Sequence, residues 1–445
     1  MAGWACLCFG TLTKDDVRSM AQITDHPLRY ALVNELHARP FPALSAPSVA
    51  AFVAIKEPMG AQHRDRASER AHLLALLDRH AVAHPQPEAT HYSGALGRAE
   101  LKWESHTEFV TYSAFSMGLP ARPFDPAEME VFPDAWLAQA PGARMASVLV
   151  RIEEMEDEEA MLAKLDQWFV PESLAVARVI EGAALIAGDF RIDPAGHMRF
   201  AVFVRPDTGA RRIGRIVQRL CEVEIYRAMS MLGLVRAREL SARLNALDPQ
   251  LSALVSGLVA GERPAEAVLD QLLAISAELE ALAVHSTFRF GATGAYEAIV
   301  SQRISALREE RVAGRQSFGE FMMRRYDPAM RTVKSAEARL GVMVERAARA
   351  AELLRTRVDV ERSEQNQRLL ESMDKRADLA LRLQHTVEGL SVVAISYYAV
   401  SLVGYMAYPL IEVLHVSKGM ATAVLTPLVV LGVWFALRRI KQAMH

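Results

Sequence analysis

Two apolar runs, residues 389–411 and 419–437, dominate the hydropathy pattern, and neither contains an Asp, Glu, Lys or Arg. A helix of either length reaches across a hydrocarbon core of roughly 30 Å. Their connection, 412–418, is so short that the two spans must run antiparallel. Pro427 predicts a kink in the second span, which neighbouring helices tolerate. Upstream, Leu340, Val344, Ala347, Ala351, Leu354 and Val358 recur at alternating spacings of 4 and 3, the seam of a helix that packs on another helix. Residues 359–368 are almost wholly polar, after which Leu370, Met373, Ala377 and Ala380 resume the seam. An unbroken helix from Arg331 to Pro409 would be about 120 Å long.

From residue 209 the apolar period is helical, through Ile213, Ile216, Val217, Leu220, Val223, Ile225 and Met229. The pattern predicts helices to Leu247, over 264–284 and over 292–311, with no further strand before the apolar runs. Asp248-Pro249 and Gly261-Glu262-Arg263-Pro264 punctuate them. Residues 314–319 form a joint, after which Phe318, Phe321, Met322 and Tyr326 pack on the helices. Before residue 209 strands and helices interleave. Strands are expected at 48–56, 145–152, 173–180, 183–191 and 197–204, a hairpin at 95–104 and 108–115, and helices at 61–80, 134–139 and 158–169.

The fold class is therefore an α+β membrane protein. A flexible tail (1–24) precedes a mixed α/β cytoplasmic domain (25–208), a helical domain (209–330) and a long stalk helix (331–388). A transmembrane hairpin (389–437) and a basic cytoplasmic tail (438–445) complete it.

Charge adds orientation. The 445 residues carry a formal net charge of −2, so no nucleic-acid partner is expected. Lys375, Arg376 and Arg382 precede the first span and Arg438, Arg439 and Lys441 follow the second, whereas the connection holds only Lys418. The positive-inside rule then puts both termini in the cytoplasm. Cys6, Cys8 and Cys221 make no disulfide framework and suit a reducing compartment. Residues 1–13 lack the basic segment of a secretory signal and read as a tail, a weak signal or anchor being the alternative.

Candidate chemistry is sparse. Between Asp25 and Pro42 the chain concentrates His26, Arg29, Asn34, Glu35, His37 and Arg39 on a short helix opened by Pro27 and closed by Pro40. These residues suit either a ligand or subunit contact or the tied-down edge of a domain. Tyr398, Ser401, Tyr405 and Tyr408 share one face of the first span. Such a stripe lines a pore, or it packs against helices with an interfacial aromatic belt.

His80 and His84 have the spacing of helical metal ligands, but Pro85 disfavours a helix there. The acidic run Glu153, Glu154, Glu156, Asp157, Glu158 and Glu159 suits a solvated helix start or a divalent cation. No P-loop, dinucleotide turn, nucleophile elbow or zinc-helix pair occurs, so no enzymatic activity and no particular cofactor is expected.

His26-Pro27-Leu28-Arg29, Asn34-Glu35-Leu36-His37-Ala38-Arg39-Pro40-Phe41 and Glu388-Gly389-Leu390-Ser391-Val392 resemble an uncharacterised bacterial membrane-anchored family of the domain-of-unknown-function series. The resemblance covers nearly the whole chain from Asp25. It implies a bacterial membrane protein and no activity; with the two spans and the positive-inside rule, the expectation is a multi-pass protein of the bacterial inner membrane with the lipid bilayer as partner.

The order of parts is also similar to that of CorA-type divalent-cation channels, which are homopentamers. That likeness implies a homo-oligomeric cation channel or transporter. Those channels close their first span with Gly-Met-Asn, where this chain reads Gly404-Tyr405-Met406-Ala407-Tyr408-Pro409. The alternative expectation is a membrane-tethered scaffold or sensor whose α/β domain binds a partner or small ligand.

Overall fold

A computed structural model describes residues 24–30, 32–33, 41–58, 60, 63–260, 264–312, 314–413 and 417–443, with backbone alone at 258–260, 408–413 and 441–443. Contacts divide the chain into two compact units, Met1–Ser252 with Ile275–Ala347 and Ala253–Ala274 with Ala348–His445.

The first unit is built on a mixed nine-stranded sheet. Its strands are β1 (Ser48–Lys56), β2 (His91–Leu96), β3 (Ala99–Ser105), β4 (Phe109–Met117), β5 (Ala143–Glu154), β6 (Ala175–Val179), β7 (Ala184–Ile192), β8 (Met198–Val204) and β9 (Glu310–Arg311). Their order is β2-β3-β4-β1-β5-β8-β7-β6-β9. Only β5 and β8 pair in parallel. Central β1 is buried along its whole length, as its sequence Ser-Val-Ala-Ala-Phe-Val-Ala-Ile-Lys requires of a strand covered on both faces.

Alternation sends Ala50, Phe52 and Ala54 to one face of the sheet and Ala51, Val53 and Ile55 to the other. The first face packs on α4 (Ala210–Ala260) through Ile213, Ile216, Val217, Leu220 and Cys221. It also packs on α5 (Ala265–Leu307) through Tyr296 and Leu307, and on α6 (Phe318–Arg325) through Phe318. The second face packs on α1 (Arg66–Arg79) through Leu73, Leu76 and Leu77, on α2 (Asp134–Leu137) through Trp136, and on α3 (Glu158–Trp168) through Met161 and Leu165. The sheet and the helices expected as a separate domain from residue 209 thus share one core, and no unit boundary falls at 208.

Several expected elements differ. The strand expected at 95–104 is two strands, β2 and β3, because Gly97 takes a left-handed φ of 62° and turns the chain between Leu96 and Ala99. Helix α1 begins at Arg66 rather than 61, capped by the Asp65 side chain on Ala67 N and Ser68 N. Helix α4 passes through Asp248-Pro249 instead of stopping at Leu247. The buried stripe Leu240, Leu244, Leu247 and Leu251 continues across the proline, and Arg339 and Arg346 both reach Asp248, at 3.2 and 3.3 Å.

Residues 285–291 do not separate two helices but lie inside α5, where Ser286, Phe290 and Thr293 are buried. Gly233 of α4 admits that crossing, since a Cβ there would stand 2.2 Å from Thr293 Oγ1. Strand β9 also lies beyond residue 209, where no strand was expected; it adds two residues to β6. The expected joint ends in a capping box, Ser317 with Glu320, that starts α6.

Helix α7 (Asp327–Val413) is continuous. Its buried seam runs through Leu340, Met343, Ala347, Ala350, Leu354 and Val358, so Met343 and Ala350 take the places expected for Val344 and Ala351. In the second unit, α5 contributes buried Ala265, Val268 and Leu272, and Arg362 of α7 reaches Glu266 at 2.5 Å. Leu370 and Met373, where the seam resumes, are exposed. Helix α8 (Lys418–Ala443) includes Pro427.

Both α7 and α8 contain a window long and apolar enough to cross a membrane, with mean hydropathies of 1.6 and 2.1. Only 6% and 0% of these windows is buried within the chain.

Candidate functional site

A cleft of about 600 Å³ opens on the α1–α3 face of the sheet. Its floor begins at β5. Ala146, Val148 and Val150 of that strand enter the core on the opposite face, so alternation turns Ser147 toward the cleft. His197 stands just before β8, at the end of the turn Asp193-Pro194-Ala195-Gly196. Asp193 Oδ1 accepts from Ala195 N at 3.0 Å and from His197 N at 2.9 Å. Gly196 is required by its φ of 92°, and the Arg144 guanidinium packs over it, 2.5 Å from where a Cβ would stand.

Ser147 Oγ and His197 Nδ1 are 2.8 Å apart, and each residue is only 6% exposed. Burial holds the His197 pKa below the ordinary histidine value; Asp193 opposes this and Arg144 adds to it. The ring is therefore neutral at neutral pH. Among the described residues its Nε2 has no hydrogen-bond partner, so that nitrogen is available to the cleft.

The facing wall comes from the 3-10 turn Pro126–Val131 and from α2. It offers Pro126, Met129, Pro133 and Leu137 as apolar surface and Glu130 and Asp134 as carboxylates. Among the described residues the side chains of Arg144, Glu130 and Asp134 make no ion pair and no hydrogen bond. The cleft is thus floored by a neutral serine–histidine pair and edged by charges of both signs. A serine beside a histidine is the start of a nucleophile–base arrangement. No carboxylate orients Nε2 among the described residues, and the pair offers a hydroxyl and a ring nitrogen to the cleft as hydrogen-bonding groups.

The buried charges on the other face of the sheet satisfy one another. Glu108 accepts from Arg289, and from the Tyr296 hydroxyl at 2.9 Å. Burial, then Glu108, pushes the Tyr296 phenol up. Lys102 Nζ donates to Gln218 Oε1 at 2.9 Å, Gln218 donates to Glu222 at 2.7 Å, and Arg303 donates to Glu222. This network fastens α4 and α5 to β3 and β4. Paired charges of this kind are structural anchors whose loss is costly.

The residues singled out in the sequence lie elsewhere. His26 and Arg29 are exposed, Arg29 pairs with Asp25, and His26 Nδ1 accepts from Leu28 N at 3.2 Å. Asn34, Glu35, His37 and Arg39 lie outside the described residues, as do Cys6 and Cys8. Tyr398 and Tyr405 stand 72% and 80% exposed on α7. Ser401 Oγ donates back to the Tyr397 carbonyl at 2.9 Å, and the Tyr408 side chain is not described.

His84 Nε2 meets Asp78 Oδ1 at 2.6 Å, and His80 caps the end of α1. The acidic run is engaged by cations and by the helix start. Glu153 and Glu156 reach Lys164 at 3.1 and 2.9 Å, Arg178 reaches Glu158, and Asp157 caps α3.

Ser147 and His197 were missed because fifty positions separate them in the chain and only the pairing of β5 with β8 brings them together. The available signals were a hydroxyl interrupting an apolar strand and a histidine ending an Asx-type turn.

The family described as "Protein of unknown function (DUF3422)" matches residues 24–444, and the chain belongs to that family. No curated protein and no solved structure matches the chain, and neither comparison carries the likeness to CorA-type channels.

Proposed function

We propose that this member of the DUF3422 family is a membrane-tethered sensor or scaffold whose α/β unit binds a small ligand in the cleft floored by Ser147 and His197. The carrying observation is that Arg144, Glu130 and Asp134 line one cleft of about 600 Å³ without ion-pair partners. That volume is typical of small-molecule sites. All three are exposed at the rim of the cleft, above the buried Ser147–His197 pair, so a ligand seated there can reach charges of both signs and neutral hydrogen-bonding groups together. Tethering rests on the apolar windows of α7 and α8. The basic residues flanking them support two spans in a bacterial inner membrane with both termini in the cytoplasm.

The test is a thermal-shift screen of the detergent-solubilised full chain against a fractionated small-molecule extract. At least one fraction is expected to raise the melting temperature of the wild type but not of His197→Gln or Arg144→Ala. Equal shifts in all three proteins would sink the reading.

A second reading, the homo-oligomeric cation channel or transporter, draws on the exposure of Tyr398 and Tyr405 and of the resumed seam at Leu370 and Met373. Further copies of the chain, five by the CorA likeness, would cover these faces. Divalent-cation flux into proteoliposomes above the empty-vesicle control, reduced by Tyr398→Phe, is its expected result. Absence of flux from a folded oligomer ends it.

A further inference from the structure

The charges of the cleft specify more than a binding site. Arg144 supplies one positive charge, and His197 and Ser147 supply neutral hydrogen-bonding groups beside it. Glu130 and Asp134 supply two negative charges from the facing wall. A purely anionic ligand would pair with Arg144 but meet two carboxylates, and a purely cationic one would meet the reverse mismatch. Like charges brought together in a partly enclosed site cost affinity.

A metal ion is disfavoured as well, because no group of three or more potential ligands occurs among the described residues. Met129, Leu137, Pro126, Pro133 and Val53 line the same cleft, a surface that suits an apolar ligand body.

We propose that the cleft binds a small zwitterion with an apolar body, of the size of an apolar amino acid or dipeptide. Its carboxylate lies at Arg144, His197 and Ser147, and its ammonium at Glu130 and Asp134. This inference rests on the ligand-cleft reading above and assigns the ligand's chemical class. The serine–histidine pair has a positioning role: Ser147 fixes the imidazole through Nδ1 and thereby directs Nε2 toward the ligand.

The experiment is isothermal titration of the full chain in detergent with leucyl-leucine and the twenty common amino acids. N-acetyl-leucyl-leucine and leucyl-leucine amide are the capped controls. At least one free zwitterion is expected to bind, and capping either end of leucyl-leucine should weaken its binding tenfold or more. Arg144→Gln should abolish the penalty for amidation while leaving that for acetylation. Glu130→Gln with Asp134→Asn should do the reverse, a crossed pattern that a merely destabilised fold would not produce. Capped forms binding as tightly as the free dipeptide would overturn the zwitterion and leave the ligand cleft standing. Failure of every zwitterion overturns it too, and the extract screen then decides separately whether the cleft binds anything.

Discussion

The two units treat apolar surface in opposite ways. In the sheet unit both faces of a nine-stranded sheet are covered, and Phe200, Phe203, Leu101 and Trp136 are fully buried. Its interior charges are matched, Glu108 with Arg289 and Glu69 with Arg64. In the helical unit Leu370, Leu383, Leu390, Leu402, Val424 and Leu431 are all more than half exposed. The first unit satisfies itself, and the second leaves its apolar faces for its surroundings. A soluble monomer rarely exposes apolar surface on that scale. The difference teaches that a sequence rich in leucine does not by itself report where a core lies; the partner faces decide that.

The comparison breaks first at the sheet core. Phe200→Ala should cost about 3–5 kcal/mol of unfolding free energy, because the ring lies between Gly188 and Phe318 in a filled interior. Urea unfolding followed by tryptophan fluorescence measures it, and a loss under about 1 kcal/mol would mean the unit is loosely packed.

A second, smaller effect comes from pH. Burial lowers the pKa values of His72 and His197 below the ordinary 6.5. The unfolded chain then binds protons that the folded chain refuses. Stability is complete above that ordinary value and declines as pH falls through it toward the depressed folded values. The urea midpoint should drop from about pH 7 to about pH 5, with a shallower slope in His72→Gln.

Third, Ser317→Ala should cost about 1 kcal/mol in chemical denaturation, since the Ser317 hydroxyl accepts from Glu320 N at 3.2 Å in the α6 capping box.

The smallest effect sharpens the contrast. Leu370→Ala on exposed α7 should change the denaturation midpoint by no more than about 0.5 kcal/mol, although the same residue type in the sheet unit would cost several-fold more. A large loss would show that further copies of the chain already cover that face, and sedimentation of the variant would then reveal a smaller assembly.

Much of this division is legible in the residues. The continuous apolar run of β1, the turn Asp193-Pro194-Ala195-Gly196 before β8 and the two charge-free runs near the C-terminus each specify their element locally. Illegible were the features that packing decides. Pro249 signals a helix end, yet a buried leucine stripe and two arginines on Asp248 carry α4 past it. The residues around Gly291 resemble a break, yet buried Phe290 and Thr293 hold α5 together. The cleft escaped for the same reason: Arg144, Ser147 and His197 converge only through the parallel pairing of β5 with β8. Local pattern carries no information about that register.

The edge of the sheet also sets a timetable. Strand β6 is completed by β9 at residues 310–311 and by the bridge from Ala175 to Gln316. A ribosome that has added Gln316 has 72 residues still to add before Gly389, the first of the charge-free run. At roughly 5–20 residues per second that interval is about 4–15 s. The nascent chain can therefore close its whole sheet, cleft included, while the apolar C-terminal helices are still unmade. All nine strands of the sheet are thus translated before the first of the two apolar runs.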